Sequence, residues 1–238
     1  YYTIITKIGI SIMYKRENTN LMNDLFVVVA YIFCICAVLF SAGNFLNPSI
    51  LNPPLFDMTN QIILNIVVIV SIFVYELSKP NSQGILSFIG FRRSNIMLYF
   101  VYSIVGFLVV VLFSSMLNFL FGSVTPPMPA FFENADFVFL RKVYLLTLIA
   151  APFGEEIFFR GFLQNILIKQ LGIKIGVFLS ALLFAVLHTG YWEYSAAFLS
   201  VLFLGFALSF VRLQTHSLIP CIMIHLFNNL LAYTLLFN

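Results

Sequence analysis

The stretch IMLYFVYSIVGFLVVVLFSSMLNFLF, Ile96 to Phe121, runs for twenty-six residues without a charged side chain. As an α-helix it reaches about 39 Å at ~1.5 Å per residue, more than the roughly 30 Å of hydrocarbon in a bilayer. Its few polar groups are serines and Asn118, which can bond back to their own helix, and the hydroxyls of Tyr99 and Tyr102. A barrel strand would alternate apolar and polar residues over about ten positions, and no such alternation is present. The stretch predicts a membrane-spanning helix, and with it the solvent of the chain.

The composition extends that prediction to the whole molecule. Of 238 residues, 61% are hydrophobic and 9% charged, with a mean hydropathy of +1.02. A soluble domain carries roughly a quarter charged residues, and a single soluble core of this length would still leave much surface in water. In lipid every backbone N–H and C=O must be paired internally, so the expected fold is all-α, a polytopic transmembrane helical bundle. Seven spans are predicted: Leu25–Gly43, Gln61–Leu77, Ile96–Phe121, Val143–Leu167, Ile173–His188, Ser195–Val211 and Ser217–Phe237. Thr3 to Met13 is too short to cross and reads as an interfacial helix or the remnant of a longer one. The chain opens at Tyr1 rather than Met. Its first long apolar run lacks a small-residue cleavage site and reads as a retained span.

The basic residues agree with this count. Lys7, Lys15, Arg16, Lys79, Arg92, Arg93, Lys169, Lys174 and Arg212 fall on one side of the seven spans, against Arg141 and Lys142 on the other. The positive-inside rule then puts the N-terminus in the cytoplasm. Cys34, Cys36 and Cys221 all lie in apolar runs, an odd set that argues against a disulfide framework. A net charge of +3 without a basic run gives no reason to expect nucleic acid as a partner.

Span four holds the anomaly: Pro152-Phe153-Gly154-Glu155-Glu156-Ile157-Phe158-Phe159-Arg160-Gly161. Each charge inside a span costs at least ~2.5–3.5 kcal/mol on insertion scales. Glu156 and Arg160 are four apart and can form a bidentate pair on one helix face, a structural role. Glu155 is turned about 100° away and is left for chemistry. Pro152 with Gly154 is expected to loosen the helix just ahead of Glu155, with a freed carbonyl helping to admit water. His188 ends span five, and His225 precedes Asn229 by one turn in span seven. Glu155 lies 13 residues from Lys142 and 14 from Lys169; His188 lies 14 beyond Lys174; His225 lies 13 beyond Arg212. For regular helices these counts put all three residues roughly 20 Å from their flanks, on one level near the midplane. His216 and Glu193, near span ends, read as interfacial.

Taken singly, each histidine and Asn229 reads as a satisfied helix-packing group, and Phe184, one of 29 phenylalanines, as packing. Together at one depth they predict a hydrolytic site. Glu155 can serve as general base on a water oriented by His188, His225 and Asn229. Alternatively Glu155, His188 and His225 can hold a divalent metal, zinc, that activates the water. Both schemes remain open on the residues alone, the metal-free one being preferred. A non-enzymatic immunity or regulatory protein could use the same cavity for binding. A proton or ion transporter would also place Glu and His in mid-membrane, but no inverted repeats or broken-helix pairs support it.

Glu155-Glu156-x-x-x-Arg160, Phe184-x-x-x-His188 and His225-x-x-x-Asn229, in that order on successive helices, resemble the motifs of the CPBP intramembrane proteases. That family includes CaaX prenyl endopeptidases and bacteriocin-processing or self-immunity proteins (the ABI family). The resemblance covers about Val143 to Leu230. It divides the chain into N-terminal helices without a motif, residues 1–142, and catalytic helices, 143–238. It implies cleavage of a membrane-associated peptide or lipid-modified peptide. The family's catalytic positions fall here on Glu155, His188, His225 and Asn229, supported by Glu156, Arg160 and Phe184. Members are commonly named metalloproteases, although glutamate-activated water without a metal is also proposed for the fold. The small size and short loops fit peptide maturation or immunity in a prokaryotic plasma membrane.

Overall fold

The structure, a computed structural model, describes residues 53–78, 82, 84–91, 93–121, 137–188, 191 and 193–237. The predicted span Leu25–Gly43, the segment Thr3–Met13 and the N-terminal cations lie outside the described residues, and so do Cys34 and Cys36. The described elements are all helical: α1 Pro53–Ser78, α2 Ile85–Ile89, a 3-10 turn Arg93–Asn95, α3 Ile96–Phe121, α4 Phe137–Glu156, a π-helical segment Ile157–Leu163, α5 Gln164–Leu171, α6 Ile173–Leu187, α7 Ser195–Thr215 and α8 Ile219–Phe237.

Among the described residues three helices, α3, α7 and α8, are long and apolar enough to cross a membrane. The apolar part of α1, Gln61–Leu77, and helix α6 are shorter. Span four, expected as one helix over Val143–Leu167 loosened ahead of Glu155, is instead α4, the π segment and α5 in direct succession. The seven-span expectation is therefore met in part, and the protein is an integral membrane protein of helices.

The faces of the helices follow their composition. On α3 only Tyr99, Ser103, Val110 and Leu117 are buried, at steps of four and seven that mark one seam; Phe107 and Phe113 flank it on Phe227 and Phe203, and much of the other apolar surface is exposed. On α6 the buried residues Gly176, Ser180, Ala181, Phe184 and Ala185 share one face. Lipid tails are as apolar as leucine, so helices associate in a bilayer through close packing and polar contacts. Gly205 of α7 illustrates this, since a Cβ there would lie 3.1 Å from the Cα and carbonyl oxygen of Ala181.

The π segment is buried along its whole length, and with Val68 and Ile72 of α1, Val110 of α3, Phe184, Leu204, Leu208 and Ile224 it forms the centre of the core. Its five-residue bonding leaves a wider turn than an α-helix. Side chains take up the carbonyls this disturbs: Ser180 Oγ donates to Phe159 O at 3.3 Å, and Asn165 Nδ2 donates to Gly161 O. The sequence reading put the loosening ahead of Glu155. The helix in fact stays regular through Glu156 and widens after it.

The α7–α8 turn does not reach the surface. His216 closes α7 at φ 52°, Ser217 and Leu218 are fully buried, and α2 covers them. Leu218 N–H donates to Ile89 O at 2.7 Å, and Arg212 Nη2 donates to Phe88 O at 3.4 Å. Gly90, at φ 75°, packs directly on the His216 carbonyl, where a Cβ would collide. Tyr99 Oη donates to the Gly90 carbonyl at 2.9 Å and ties this cover to α3. The His216 backbone is thus packed under α2, while its side chain stays half-buried.

Candidate active site

Glu155, His188 and His225 arrive from α4, the end of α6 and α8, and converge. Glu155 Oε2 lies 3.7 Å from Nε2 of His188 and 3.7 Å from Nε2 of His225. The shared level is real, but residue counting does not explain it. His225 stands six residues past the start of α8, about 9 Å along that helix. The thirteen residues from Arg212 include a chain reversal. The levels agree because the α7–α8 turn is recessed.

Each imidazole is oriented by a bond at its other nitrogen. His188 caps α6 and places Nδ1 2.6 Å from Phe184 O. A carbonyl only accepts, so Nδ1 carries the hydrogen and Nε2 faces Glu155. His225 is buried, with Nδ1 2.8 Å from Glu156 Oε1. A carboxylate accepts in the same way and again leaves Nε2 toward Glu155. Phe184, fully buried, packs against both rings at centroid distances of 4.5 Å and 5.5 Å.

Glu156 and Arg160 do pair, both fully buried, but through one contact of 3.1 Å rather than the bidentate geometry expected. Glu156 Oε1 is shared with His225, and Arg160 Nη2 turns to Gly205 O at 3.2 Å. The guanidinium lies 4.2 Å from the centre of the Phe184 ring. Glu156 therefore does more than neutralise Arg160. It is the carboxylate that orients His225, a link which the i, i+4 spacing with Arg160 hid.

Asn229 sits one turn beyond His225 and donates from Nδ2 to Leu148 O at 3.1 Å. Leu148 is four residues before Pro152, so its carbonyl is the one that the missing proline N–H leaves unpaired. The freed carbonyl expected to admit water is taken by an amide instead. One Nδ2 hydrogen and Oδ1 remain for other partners.

Two residues that carried no sequence signal border the site. Tyr191, between α6 and α7, stacks on His188 at a centroid distance of 6.3 Å, and its N–H donates to His188 O. Burial first, and the Glu155 charge second, hold its phenol above the usual range, so it stays a protonated O–H beside the carboxylate. Asn65 of α1 is buried and packs directly on Gly154, filling the space that any side chain at 154 would need. Neither position has a spacing that ties it to the acidic pair.

Glu155 is 19% exposed and His188 25%, against 3% for His225, so the site opens on the His188 side. Oε2 of Glu155 is buried without a hydrogen-bond partner. Three acceptors face one another here, and a water donating to Oε2 and to one of the two Nε2 atoms at about 2.8 Å fits the 3.7 Å separations. Two imidazole nitrogens and a carboxylate oxygen are also a donor set that zinc takes. Tetrahedral ligands at ~2.1 Å from one ion lie about 3.4 Å apart, closer than these atoms are. Among the described residues no trio of His, Cys, Asp or Glu is gathered tightly enough to hold a metal ion.

Residues 138–231 match the family model for type II CAAX prenyl endopeptidase Rce1-like proteins. The match spans α4 to α8 and includes every residue of the converging cluster. No curated protein matches the chain, and no solved structure does either.

Proposed function

We propose, on the premise that residues 138–231 form a domain of the Rce1-like type II CAAX prenyl endopeptidase family, that this protein is an intramembrane endopeptidase using a glutamate-activated water. The family implies a peptide substrate; the finer reading is a membrane-associated peptide or C-terminal segment, lipid-modified forms included. The observation that carries it is Glu155 Oε2 facing the Nε2 atoms of two histidines whose Nδ1 atoms are already engaged.

In this reading the water lies between Glu155 and the two Nε2 atoms. As its oxygen bonds to the scissile carbonyl carbon, Glu155 takes the proton, acting as general base. The developing oxyanion is met by donors at the site rim, the remaining Asn229 hydrogen and the Tyr191 hydroxyl being the candidates. The C–N bond then breaks as the amine nitrogen takes the proton from Glu155. His225 keeps its orientation through Glu156, which Arg160 fixes in turn. Were zinc bound, Glu155, His188 and His225 would be its ligands and it would supply a Lewis acid. Glu155 would then no longer be free as the base, and no step here is routed through the metal.

The test is a Glu155→Gln strain compared with wild type by mass spectrometry of membrane-associated peptides. Uncleaved peptides should accumulate while the variant protein is present at normal level. A Glu155→Gln strain with full biological function and an unchanged peptide population would move the protein to the binding or immunity reading. Loss of wild-type cleavage with chelator, restored by zinc, would replace the metal-free mechanism and leave the peptidase reading standing.

A further inference from the structure

The π segment and α5 face α7 through two parallel rungs. Arg160 Nη2 donates to Gly205 O, and one turn on, Gln164 Nε2 donates to Ser209 O at 3.4 Å. The steps 160 to 164 and 205 to 209 match, so the two elements run side by side. Glu156, Arg160, Gln164 and Ser209 are all fully buried. Four of their polar atoms have no hydrogen-bond partner among the described residues: Glu156 Oε2, Arg160 Nε, Gln164 Oε1 and Ser209 Oγ.

Left dry, each such atom would cost about 1–3 kcal/mol, and four of them along one interface would exceed what a core tolerates. Their chemistry is complementary, however. Arg160 Nε–H is a donor, Glu156 Oε2 and Gln164 Oε1 are acceptors, and the Ser209 hydroxyl is both. Buried waters typically make about three hydrogen bonds to groups otherwise unsatisfied, and this set offers that number with both signs. The free thiol of Cys221, fully buried on α8, lies 3.4 Å from Leu208 O, next in sequence to Ser209.

We propose that the interface between the π segment, α5 and α7 is a binding site for structural water, held by Arg160, Gln164 and Ser209 and separate from the catalytic water at Glu155. It does not depend on the peptidase reading. The water accepts from Arg160 Nε–H and donates to Gln164 Oε1 and Ser209 Oγ, so that each of the three guanidinium nitrogens is engaged while Arg160 fixes Glu156.

Millisecond X-ray hydroxyl-radical labelling of the purified protein in detergent, read by mass spectrometry, tests this with water itself as the probe. Cys221, whose thiol bonds to α7 at the residue before Ser209, should be oxidised despite its burial, because radicals form from water held inside this interface. Ser209→Ala should abolish that labelling and lower Tm by about 2–4 °C, the shift for one lost bridged hydrogen bond in a chain of this size. Gln164→Met should also abolish the labelling, and serves if the first variant does not fold. An unlabelled Cys221 in the wild type overturns the proposal. So does labelling that persists in the variants, or a Ser209→Ala protein with raised Tm, since deleting a dry polar atom stabilises.

Discussion

Helix α3 and the run from α4 through α5 are both long, apolar and close to the same core, yet they obey different rules. Most of α3 faces lipid: Leu112 is 69% exposed and Phe119 88%, and any apolar side chain serves there. The π segment has no exposed residue at all, and its one charged side chain, Arg160, is set by Glu156 and the Gly205 carbonyl. In the first helix the bilayer chooses residues by class. In the second, neighbouring helices choose them by identity. Charge at mid-membrane is tolerated where every face is already protein.

The largest expected departure between the two regions comes from Arg160→Met. It leaves the Glu156 carboxylate buried without its cation, held only by His225, and breaking a buried pair in this way costs about 3–5 kcal/mol. Thermal or denaturant unfolding in detergent should show it as a loss of that size. A variant of wild-type stability would mean that the buried pair contributes no more than a surface contact.

A smaller effect tests the link between Pro152 and Asn229. Asn229→Leu should cost about 1–3 kcal/mol by leaving Leu148 O unsatisfied. In a Pro152→Ala background the restored N–H can take that carbonyl, so the same change should cost less. A double-mutant cycle measures the difference, and strict additivity would break the link.

Leu112→Ala on the lipid face should change stability by no more than about 0.5 kcal/mol. A cost of several kcal/mol would show that this face of α3 meets protein rather than lipid.

The same contrast explains what could be read from the sequence. Ile96–Phe121 matches the bounds of α3 to the residue, because length and hydropathy are all that lipid asks. Glu155, His188 and His225 were identifiable because polar atoms in apolar runs need a reason, and they do converge. Glu156 was assigned to Arg160 alone, since helical spacing reports neighbours on one helix and His225 is on another. The π segment carries only Gly161 as punctuation, while Pro152 and Gly154, the stronger signals, precede it inside α-helix. Tyr191 and Asn65 enter through tertiary packing, which no periodicity encodes. The level of His225 was correctly inferred for the wrong reason, because a count of residues takes every turn to lie at the membrane surface.

That recessed turn bears on how the orientation of this protein is to be measured. A cysteine placed at Ser217 or Leu218 would be shielded by α2 whichever way the chain is inserted, and its silence would say nothing about sidedness. The α5–α6 junction, where Leu171, Gly172, Ile173 and Lys174 are exposed, is the address at which an impermeant reagent can tell one side from the other.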